Sequence, residues 1–368
     1  MTDSSLSLAC SSCGREYDAH AWRCDCGAPL DVAASPIDRA TDPLPPEPPE
    51  SWLDTRTGLW SFAPLLPVER RVSLGEGFTP LVDAPQWGAE FKLEYVFPTG
   101  SFKDRGATVT LSLADALGVD RVVEDSSGNA GAAIATYAAR AGIDAEIYVP
   151  ASVKPAKRRA IERTGATPVP IEGAREDVTA ACVDAVEADD AWYASHAWNP
   201  AFFAGTATVA YEICAQRGWT APDAVVTPLG HGTLFLGAYR GFRALADAGW
   251  IDSLPTMLGA QAAGYAPIAD ELHDSDGETN DVADGIQIRE PVRRDQILDA
   301  IADSGGDAIA VSESDTEAAL AALRSRGFDV EPTCAVAPAA LETYRERGAV
   351  APDDDVVVAL TGSGLKIQ

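Results

Sequence analysis

The chain has 368 residues, of which 46% are apolar, so it can bury the cores of two globular domains. It carries 28 Lys and Arg against 56 Asp and Glu, a formal net charge of −28. This excess of carboxylate disfavours nucleic-acid binding, which depends on Lys and Arg neutralising phosphates. No apolar run approaches the length of a membrane span, and residues 1–30 are polar and cysteine-bearing, so we expect a cytoplasmic protein that does not insert into membranes.

The acidic residues are spread along the chain, and lysine is scarce. It occurs at Lys92, Lys103, Lys154, Lys157 and Lys366. Carboxylates hold water and cations, and at 1 M salt their mutual repulsion is screened over about 3 Å. The composition therefore favours a surface adapted to high salt over that of an ordinary acidic protein.

Four of the seven cysteines form a cluster near the amino terminus. Two residues separate Cys10 from Cys13, and one residue separates Cys24 from Cys26. Four thiolates can complete a tetrahedral zinc site, and so short a segment cannot fold on an apolar core alone. We predict a zinc-ribbon-like segment at residues 1–35. The alternative is a ribbon that has lost its metal, because the second pair is shortened; a disulfide fits a reducing cytoplasm less well.

Residues 42–50 form a proline-rich linker, which marks a domain boundary. Beyond it, strand-like and helix-like segments alternate, and this rhythm predicts an α/β fold with a mainly parallel sheet. We expect two α/β domains. The large one comprises residues 36–87 and 204–368, and the smaller, mobile one comprises residues 88–203.

Lys103 opens a predicted helix within the segment PTGSFKDRG at residues 98–106. The helix dipole places partial positive charge at this end, which lowers the pKa of an ammonium, as a lysine that acts through a Schiff base requires. Taken alone, a solvated surface lysine is the commoner situation.

Three further turns follow predicted strands. The segment SSGNAG at residues 126–131 offers backbone N–H groups and hydroxyls to a carboxylate, with an ordinary helix cap as the alternative. A second, glycine-containing turn can hold a phosphate, although it lacks the Rossmann and P-loop signatures. It consists of Gly230, His231, Gly232 and Thr233. The third turn follows the strand VVVAL and presents the hydroxyls of Thr361 and Ser363.

Together these segments resemble the threonine synthase family of fold type II pyridoxal-phosphate (PLP) enzymes. The matching stretches are LGEGFTPLV at 74–82, PTGSFKDRG at 98–106, SSGNAG at 126–131 and LTGSGLK at 360–366. They occur in the right order over nearly the whole chain, and the cysteine pairs look like the ribbon of many members. The resemblance implies a tryptophan-synthase-β-like fold of two open α/β domains and PLP as the cofactor. The zinc ion predicted from the cysteine spacing would be structural, because four thiolates leave no open position.

The resemblance also implies a role for each site residue. Lys103 would carry PLP as a Schiff base and then serve as acid and base, and Asn129 would bind the phenolic oxygen of the cofactor. The substrate carboxylate would be bound by Ser126, Ser127 and Gly128. The cofactor phosphate would be bound by Gly230, His231, Gly232 and Thr233. Thr361, or less favourably Ser363, would face the pyridine nitrogen, where a neutral hydroxyl suits elimination and replacement better than transamination.

The implied reaction converts O-phosphohomoserine and water to threonine and phosphate, and we expect a homodimer acting on a small amino acid. One departure concerns the substrate. Many members carry an arginine close to Phe202 that helps bind the substrate phosphate, and His196, Asn199, Lys154 or Arg105 would have to replace it here. A serine/threonine dehydratase and a cysteate-synthase-like β-replacement enzyme therefore remain alternatives. A non-catalytic PLP-binding protein is less favoured.

Overall fold

The structure is a computed structural model, and it describes residues 6–39, 47–48, 50, 54–189, 191–274 and 277–367. The chain divides into two compact units. The first comprises Met1–Pro43, Asp54–Glu76 and Lys103–Thr206. The second comprises Leu44–Leu53, Gly77–Phe102 and Ala207–Gln368. The predicted linker at residues 42–50 lies mostly outside the described residues, and the predicted domain boundaries stay a prediction.

The amino-terminal segment of the first unit is a three-stranded antiparallel sheet in the order β2-β1-β3. Its strands are β1 (Ser7–Cys10), β2 (Glu16–Asp18) and β3 (Leu30–Val32). The buried side chains of this sheet are few, namely Leu8, Cys10, Cys24 and Leu30. A core of this size is too small to hold a sheet by apolar burial alone, so the segment needs a further source of stability.

Aromatic side chains attach this segment to the rest of the first unit. The ring centroid of Trp22 lies 5.3 Å from that of Tyr193 and 5.1 Å from that of Trp198, both in edge-to-face geometry. The guanidinium of Arg23 donates to the carboxylate of Glu187 at 2.6 Å. Such aromatic pairs contribute about 0.5–1.5 kcal/mol each beyond the area they bury.

The main sheet of the first unit is parallel, with strand order β8-β7-β6-β9. Its strands are β6 (Arg121–Glu124), β7 (Asp144–Pro150), β8 (Thr167–Ile171) and β9 (Trp192–Tyr193). The helices of this unit are α1 (Pro36–Arg39), α2 (Lys103–Ala116), α3 (Asn129–Ala141), α4 (Pro155–Glu162) and α5 (Arg175–Asp189), with a 3-10 segment at Thr55–Leu65. Apolar strands such as RVVE fit this position because helices cover a parallel sheet.

Helix α2 is buried on all sides, with every residue from Asp104 to Ala114 buried. Two of its buried hydroxyls tie it to Val72: Thr108 Oγ1 lies 2.6 Å from the carbonyl oxygen of Val72, and Ser112 Oγ accepts from the Val72 amide at 3.0 Å. The helix that begins at Lys103 is therefore fixed in the core along most of its length.

The second unit is built on a six-stranded sheet with the order β12-β11-β10-β13-β5-β4, parallel except for the edge strand β4. Its strands are β4 (Leu81–Ala84), β5 (Ala89–Lys92), β10 (Ala224–Pro228), β11 (Thr256–Ala262), β12 (Asp307–Val311) and β13 (Val356–Ala359). Its helices are α7 (Thr233–Asp247), α8 (Ala269–Leu272), α9 (Arg294–Ser304), α10 (Glu313–Ser325) and α11 (Pro332–Glu346). Short 3-10 turns occur at Pro85–Trp87, Asp284–Ile286 and Gly364–Ile367.

Helix α6 (Pro200–Gln216) contributes residues to both units. Among the described residues, no helix combines the length and the apolarity that crossing a bilayer requires. The predicted α/β class with mainly parallel strands is confirmed.

Candidate active site

Lys103 is the first residue of α2 and is half-buried. Its Nζ lies 5.9 Å from the centroid of the Phe202 ring. Phe202 is fully buried, and a Cβ added to Gly106 would lie 2.0 Å from this ring. Glycine at position 106 therefore makes room for the ring, which forms an apolar wall beside the lysine amine.

The other described lysines lie in different surroundings. Lys92 is fully buried, and its Nζ donates to Glu212 at 2.8 Å and to the carbonyl oxygen of Thr79 at 2.7 Å. Lys154 and Lys366 are exposed. Lys157 is half-buried like Lys103, but it lies inside α4, whereas Lys103 is the first residue of its helix.

The turn at residues 126–128 connects β6 to α3, which begins at Asn129. The amide of Gly128 donates to Ser126 Oγ at 3.3 Å, and a Cβ at Gly131 would lie 1.8 Å from the carbonyl oxygen of Ser126. Only glycine permits the turn to fold this closely onto the first turn of α3. The result is a helix N-terminus flanked by hydroxyls at the carboxyl end of a parallel strand, where anions bind well.

Glu124, the last residue of β6, forms a buried pair with His196. Its carboxylate Oε1 lies 2.7 Å from His196 Nδ1, and Oε2 accepts from the His196 amide at 3.2 Å. The pairing of β9 with β6 brings the segment after β9 to the end of β6. Burial raises the pKa of Glu124 well above its usual value, Asp125 raises it further, and the His196 amide, Lys103 and Arg175 oppose the rise.

Sequence reasoning missed Glu124. The available signal was an acidic residue ending the apolar strand RVVE, directly before the DSSGN turn. Glu124 is fully buried, and a buried carboxylate is energetically costly unless it has a partner. His196 is that partner.

The four side chains considered as replacements for an arginine near Phe202 occupy distinct places. Asn199 accepts from the Ala201 amide at 3.0 Å and so caps α6. Arg105 is fully buried within α2, and Lys154 is exposed just before α4. His196 lies with its ring centroid 6.2 Å from that of Phe202.

The second unit holds the glycine-containing turn between β10 and α7. Gly232 has φ of +79°, a left-handed conformation that favours glycine, and a Cβ there would lie 2.6 Å from Ile297. Thr233 then begins a 15-residue helix. A helix N-terminus behind a glycine turn is suited to a phosphate, because the helix dipole and the first backbone N–H groups both favour an anion.

Thr361 and Ser363 follow β13 and lie beside residues 100–102. The Phe102 amide donates to the Thr361 carbonyl oxygen at 3.1 Å, and the Ser363 amide donates to that of Gly100 at 2.9 Å. Lys103 therefore follows directly after a backbone segment tied to the TGSG turn. Ser101 Oγ is buried, and the described residues offer it no hydrogen-bond partner.

Cys334 is a neighbour of Thr361 that the sequence did not indicate. Its Sγ lies 3.3 Å from Thr361 Oγ1 and accepts from the Gly362 amide at 2.9 Å. Burial raises the pKa of the Cys334 thiol to about 12, so the thiol is uncharged at neutral pH. The surroundings of the Thr361 hydroxyl thus stay neutral on this side.

These residues fit pyridoxal phosphate. Taken by itself, the first unit has a half-buried lysine and an anion-binding turn. The second unit, taken by itself, has a helix N-terminus suited to a phosphate, a neutral hydroxyl at Thr361 and a buried hydroxyl at Ser101 for which the described residues offer no partner. The donor set matches an aldehyde cofactor that carries a phosphate group.

The comparison with protein families gives the same result. The family model described as pyridoxal-phosphate dependent enzyme matches residues 72–362. The chain belongs to this family. Pyridoxal phosphate is the cofactor of this PLP-dependent enzyme, and its fold type II architecture is confirmed.

Curated relatives of this PLP-dependent enzyme include threonine synthases. That of Methanocaldococcus jannaschii is 33% identical, covering 97% of this chain and 92% of the relative. That of Methanosarcina acetivorans is 34% identical, covering 98% and 92%. Solved structures with the same fold include maize serine racemase (TM-score 0.67, 22% identity, 78% of this chain and 88% of that chain) and the processed threonine deaminase isoform 2 of Solanum lycopersicum (TM-score 0.65, 22% identity, 78% and 79%).

The amino-terminal cysteines meet the geometric requirement for a metal. The four Sγ atoms lie within 4.8 Å of one another, with Cys10 to Cys26 at 3.6 Å and Cys13 to Cys24 at 3.5 Å. A zinc ion with four sulfurs at 2.3 Å has tetrahedron edges of about 3.8 Å. The hydroxyl of Tyr17 donates to Cys24 Sγ at 3.2 Å, as a supporting partner of a thiolate would. Zinc binding stays a prediction.

Proposed function

We propose that this protein is a threonine synthase, which converts O-phosphohomoserine and water to threonine and phosphate. The observation that carries the proposal is the extent of similarity to the two archaeal threonine synthases, which runs over 97–98% of the chain and includes the cysteine-rich segment. A similarity limited to the cofactor-binding region would have supported only the general class.

In this proposal Lys103 is the catalytic residue. PLP, when bound, supplies an electron sink that makes the protons on the α and β carbons of an amino acid removable. Lys103 would hold the cofactor through its amine and then move those protons at its Nζ. Its place at the start of a buried helix fixes its backbone, since α2 is packed on all sides from Asp104 onward, and the flexible side chain can then move the amine between the carbons.

Each remaining role is proposed for one turn of the chain. The turn of Ser126, Ser127 and Gly128 would bind the substrate carboxylate, and Asn129 would bind the phenolic oxygen of the cofactor. The cofactor phosphate would be held by Gly230, His231, Gly232 and Thr233. Thr361, with Ser363 less favoured, would face the pyridine nitrogen, and the neutral Cys334 thiol beside it adds no charge that would stabilise a pyridinium.

A serine/threonine dehydratase is the second candidate, and one observation favours it. Phe202 is fully buried and presents a ring, not a cation, beside Lys103. A phosphate dianion is normally bound by charged donors, each contributing about 1.5–3 kcal/mol. A hydroxyl leaving group has no such requirement.

The two candidates are separated by measuring both reactions in molar salt. Purified protein with PLP should release phosphate from O-phosphohomoserine with equimolar threonine, at a kcat/KM well above that for 2-oxobutyrate release from threonine. Lys103→Ala should lose both reactions, which excludes a contaminating phosphatase. Faster 2-oxobutyrate release than phosphate release would make the dehydratase assignment the correct one.

A further inference from the structure

The end of β6 carries a pair of groups that the proposed function does not use. Glu124 and His196 are both buried, and two contacts join them, from the ring and from the backbone amide of His196. Because the carboxylate engages Nδ1, the ring orientation is fixed, and Nε2 is the nitrogen through which His196 can act on a ligand. This arrangement is that of an acid or base held in place by a carboxylate.

The position of the pair relates it to the candidate site of the first unit. Glu124 lies two residues before the turn of residues 126–128, and the His196 ring packs edge-on against Phe202, whose ring centroid also lies 5.9 Å from Lys103 Nζ. In parallel α/β sheets, ligands bind at the carboxyl ends of the strands, and β6 and β9 are neighbours there. His196 therefore lies on the same edge of the sheet as the anion-binding turn.

The chemistry of the proposed reaction needs an acid. If the carbon–oxygen bond of a phosphate ester dianion breaks without proton transfer, the phosphate must leave as a trianion. With one added proton it leaves as hydrogen phosphate, the stable form near neutral pH. A positioned acid of this kind accelerates a reaction by about 10²- to 10⁴-fold.

We propose that His196, held by Glu124, is the acid that protonates the leaving phosphate, and that it takes the place of a permanent cation beside Phe202. This inference rests on the proposed function. In the step, the bond between Cγ and the ester oxygen breaks, the electron pair leaves with the phosphate, and the His196 imidazolium transfers its Nε2 proton to a phosphate oxygen. The water consumed in the net reaction adds its hydroxyl to Cβ, and its remaining proton restores the imidazolium.

The charges around the pair are compatible with this cycle. Glu124 is faced by Lys103 from α2, by Arg175 and Cys182 from α5, by Asp125 on its own strand end and by Tyr193 from β9. The two cations compensate the carboxylate when His196 has given up its proton. Burial raises the pKa of Glu124 and therefore opposes the loss of a proton from the pair.

The test uses a leaving group that needs no proton. Wild-type protein and His196→Asn are each given O-phosphohomoserine and its γ-chloro analogue, in which chloride replaces phosphate. If His196 is the acid, His196→Asn should lose about a hundredfold or more in kcat with the phosphate substrate and only a few-fold with the chloride substrate. Turnover of the chloride substrate also shows that the variant is folded and loaded with cofactor.

A matched control is His273→Asn. His273 also pairs with a carboxylate, Asp307, at 2.7 Å, but it is exposed and belongs to the second unit. It should leave both substrates unaffected. Equal losses with both substrates in His196→Asn, or no loss with either, would overturn the inference while leaving the proposed function intact. If the wild type releases chloride but no phosphate, both the role of His196 and the proposed threonine synthase function are wrong.

Glu124→Gln gives an independent readout. The amide keeps the size of the side chain but removes the charge that stabilises the imidazolium. The pH above which the rate of phosphate elimination falls should therefore be lower in Glu124→Gln than in the wild type. The chloride reaction should show no such displacement. Identical pH profiles for wild type and Glu124→Gln with the phosphate substrate would contradict the role of Glu124 as the positioning residue.

Discussion

Gly106 and Phe202 determine the character of the space beside Lys103. The ring fits because position 106 has no side chain, and it is fully buried. A guanidinium at position 202 would have to occupy the same enclosed place, where an uncompensated charge is costly. In the proposed function, the apolar wall and the neighbouring histidine would replace a permanent cation in binding the leaving group.

Lys103→Ala should abolish both the covalent attachment of PLP and turnover. The amine is the only group that this substitution removes at the start of α2, and alanine is a good helix former, so the fold should persist. Borohydride reduction followed by peptide mapping should find the cofactor on the Lys103 peptide of the wild type. Lys154→Ala, in which an exposed lysine is removed, is the control and should keep the adduct. An adduct on another lysine in Lys103→Ala would refute the assignment.

Some of the site residues can be predicted from short sequence segments and others cannot. Lys103, the turn at residues 126–128 and Thr361 could be named because each lies in a short segment with its own turn chemistry. The Glu124 and His196 contact could not be predicted, because the two residues are 72 positions apart. It depends on the pairing of β9, a strand of two residues that leaves almost no periodic signal.

At the scale of elements, the amino-terminal cysteine cluster was predictable from the spacing, since the four cysteines lie between residues 10 and 26 and their sulfurs have few ways to meet. The three strands could not be placed in advance, because segments of three or four residues are too short for a hydrophobic pattern. The parallel sheets were easier to predict from the sequence, because their longer apolar strands alternate with helices.

We expect about one zinc ion per chain, bound by Cys10, Cys13, Cys24 and Cys26. The sulfur separations fit a closed tetrahedral site, and the ribbon has little apolar core to replace the metal. Metal analysis of protein prepared without chelator should find zinc, and the double variant Cys13→Ser with Cys26→Ser should lose it. Cys182→Ser, which removes a buried cysteine outside the cluster, should retain it. Zinc-free wild-type protein would favour a ribbon that has lost its metal.

At the scale of the whole molecule, the net charge of −28 dominates behaviour in solution. Lowering the salt from molar to millimolar should destabilise the fold, because the Debye length grows from about 3 Å to tens of ångströms and carboxylate repulsion is no longer screened. The Tm should fall as KCl is removed. An equal osmolality of sucrose should not restore it to the same degree if screening is the cause. A Tm independent of salt would contradict the salt-adapted surface.

Composition marks some changes between the two units and not others. One segment of the second unit, Leu44–Leu53, overlaps the proline-rich stretch, whereas other changes follow Glu76, between two glycines, and fall at Lys103 and Ala207, in helices. Because α6 contributes to both units without any break in its pattern, no local signal marks the change there.

The edge-to-face contacts of Trp22 with Tyr193 and Trp198 have a consequence for solubility. A chain shortened to begin after the ribbon would leave these two rings facing water on a protein whose surface is otherwise densely acidic. Exposed aromatic patches promote self-association, and in molar salt the charge repulsion that normally opposes it is weakest. The ribbon thus covers an aromatic surface in molar salt, the condition in which that surface would most readily cause aggregation.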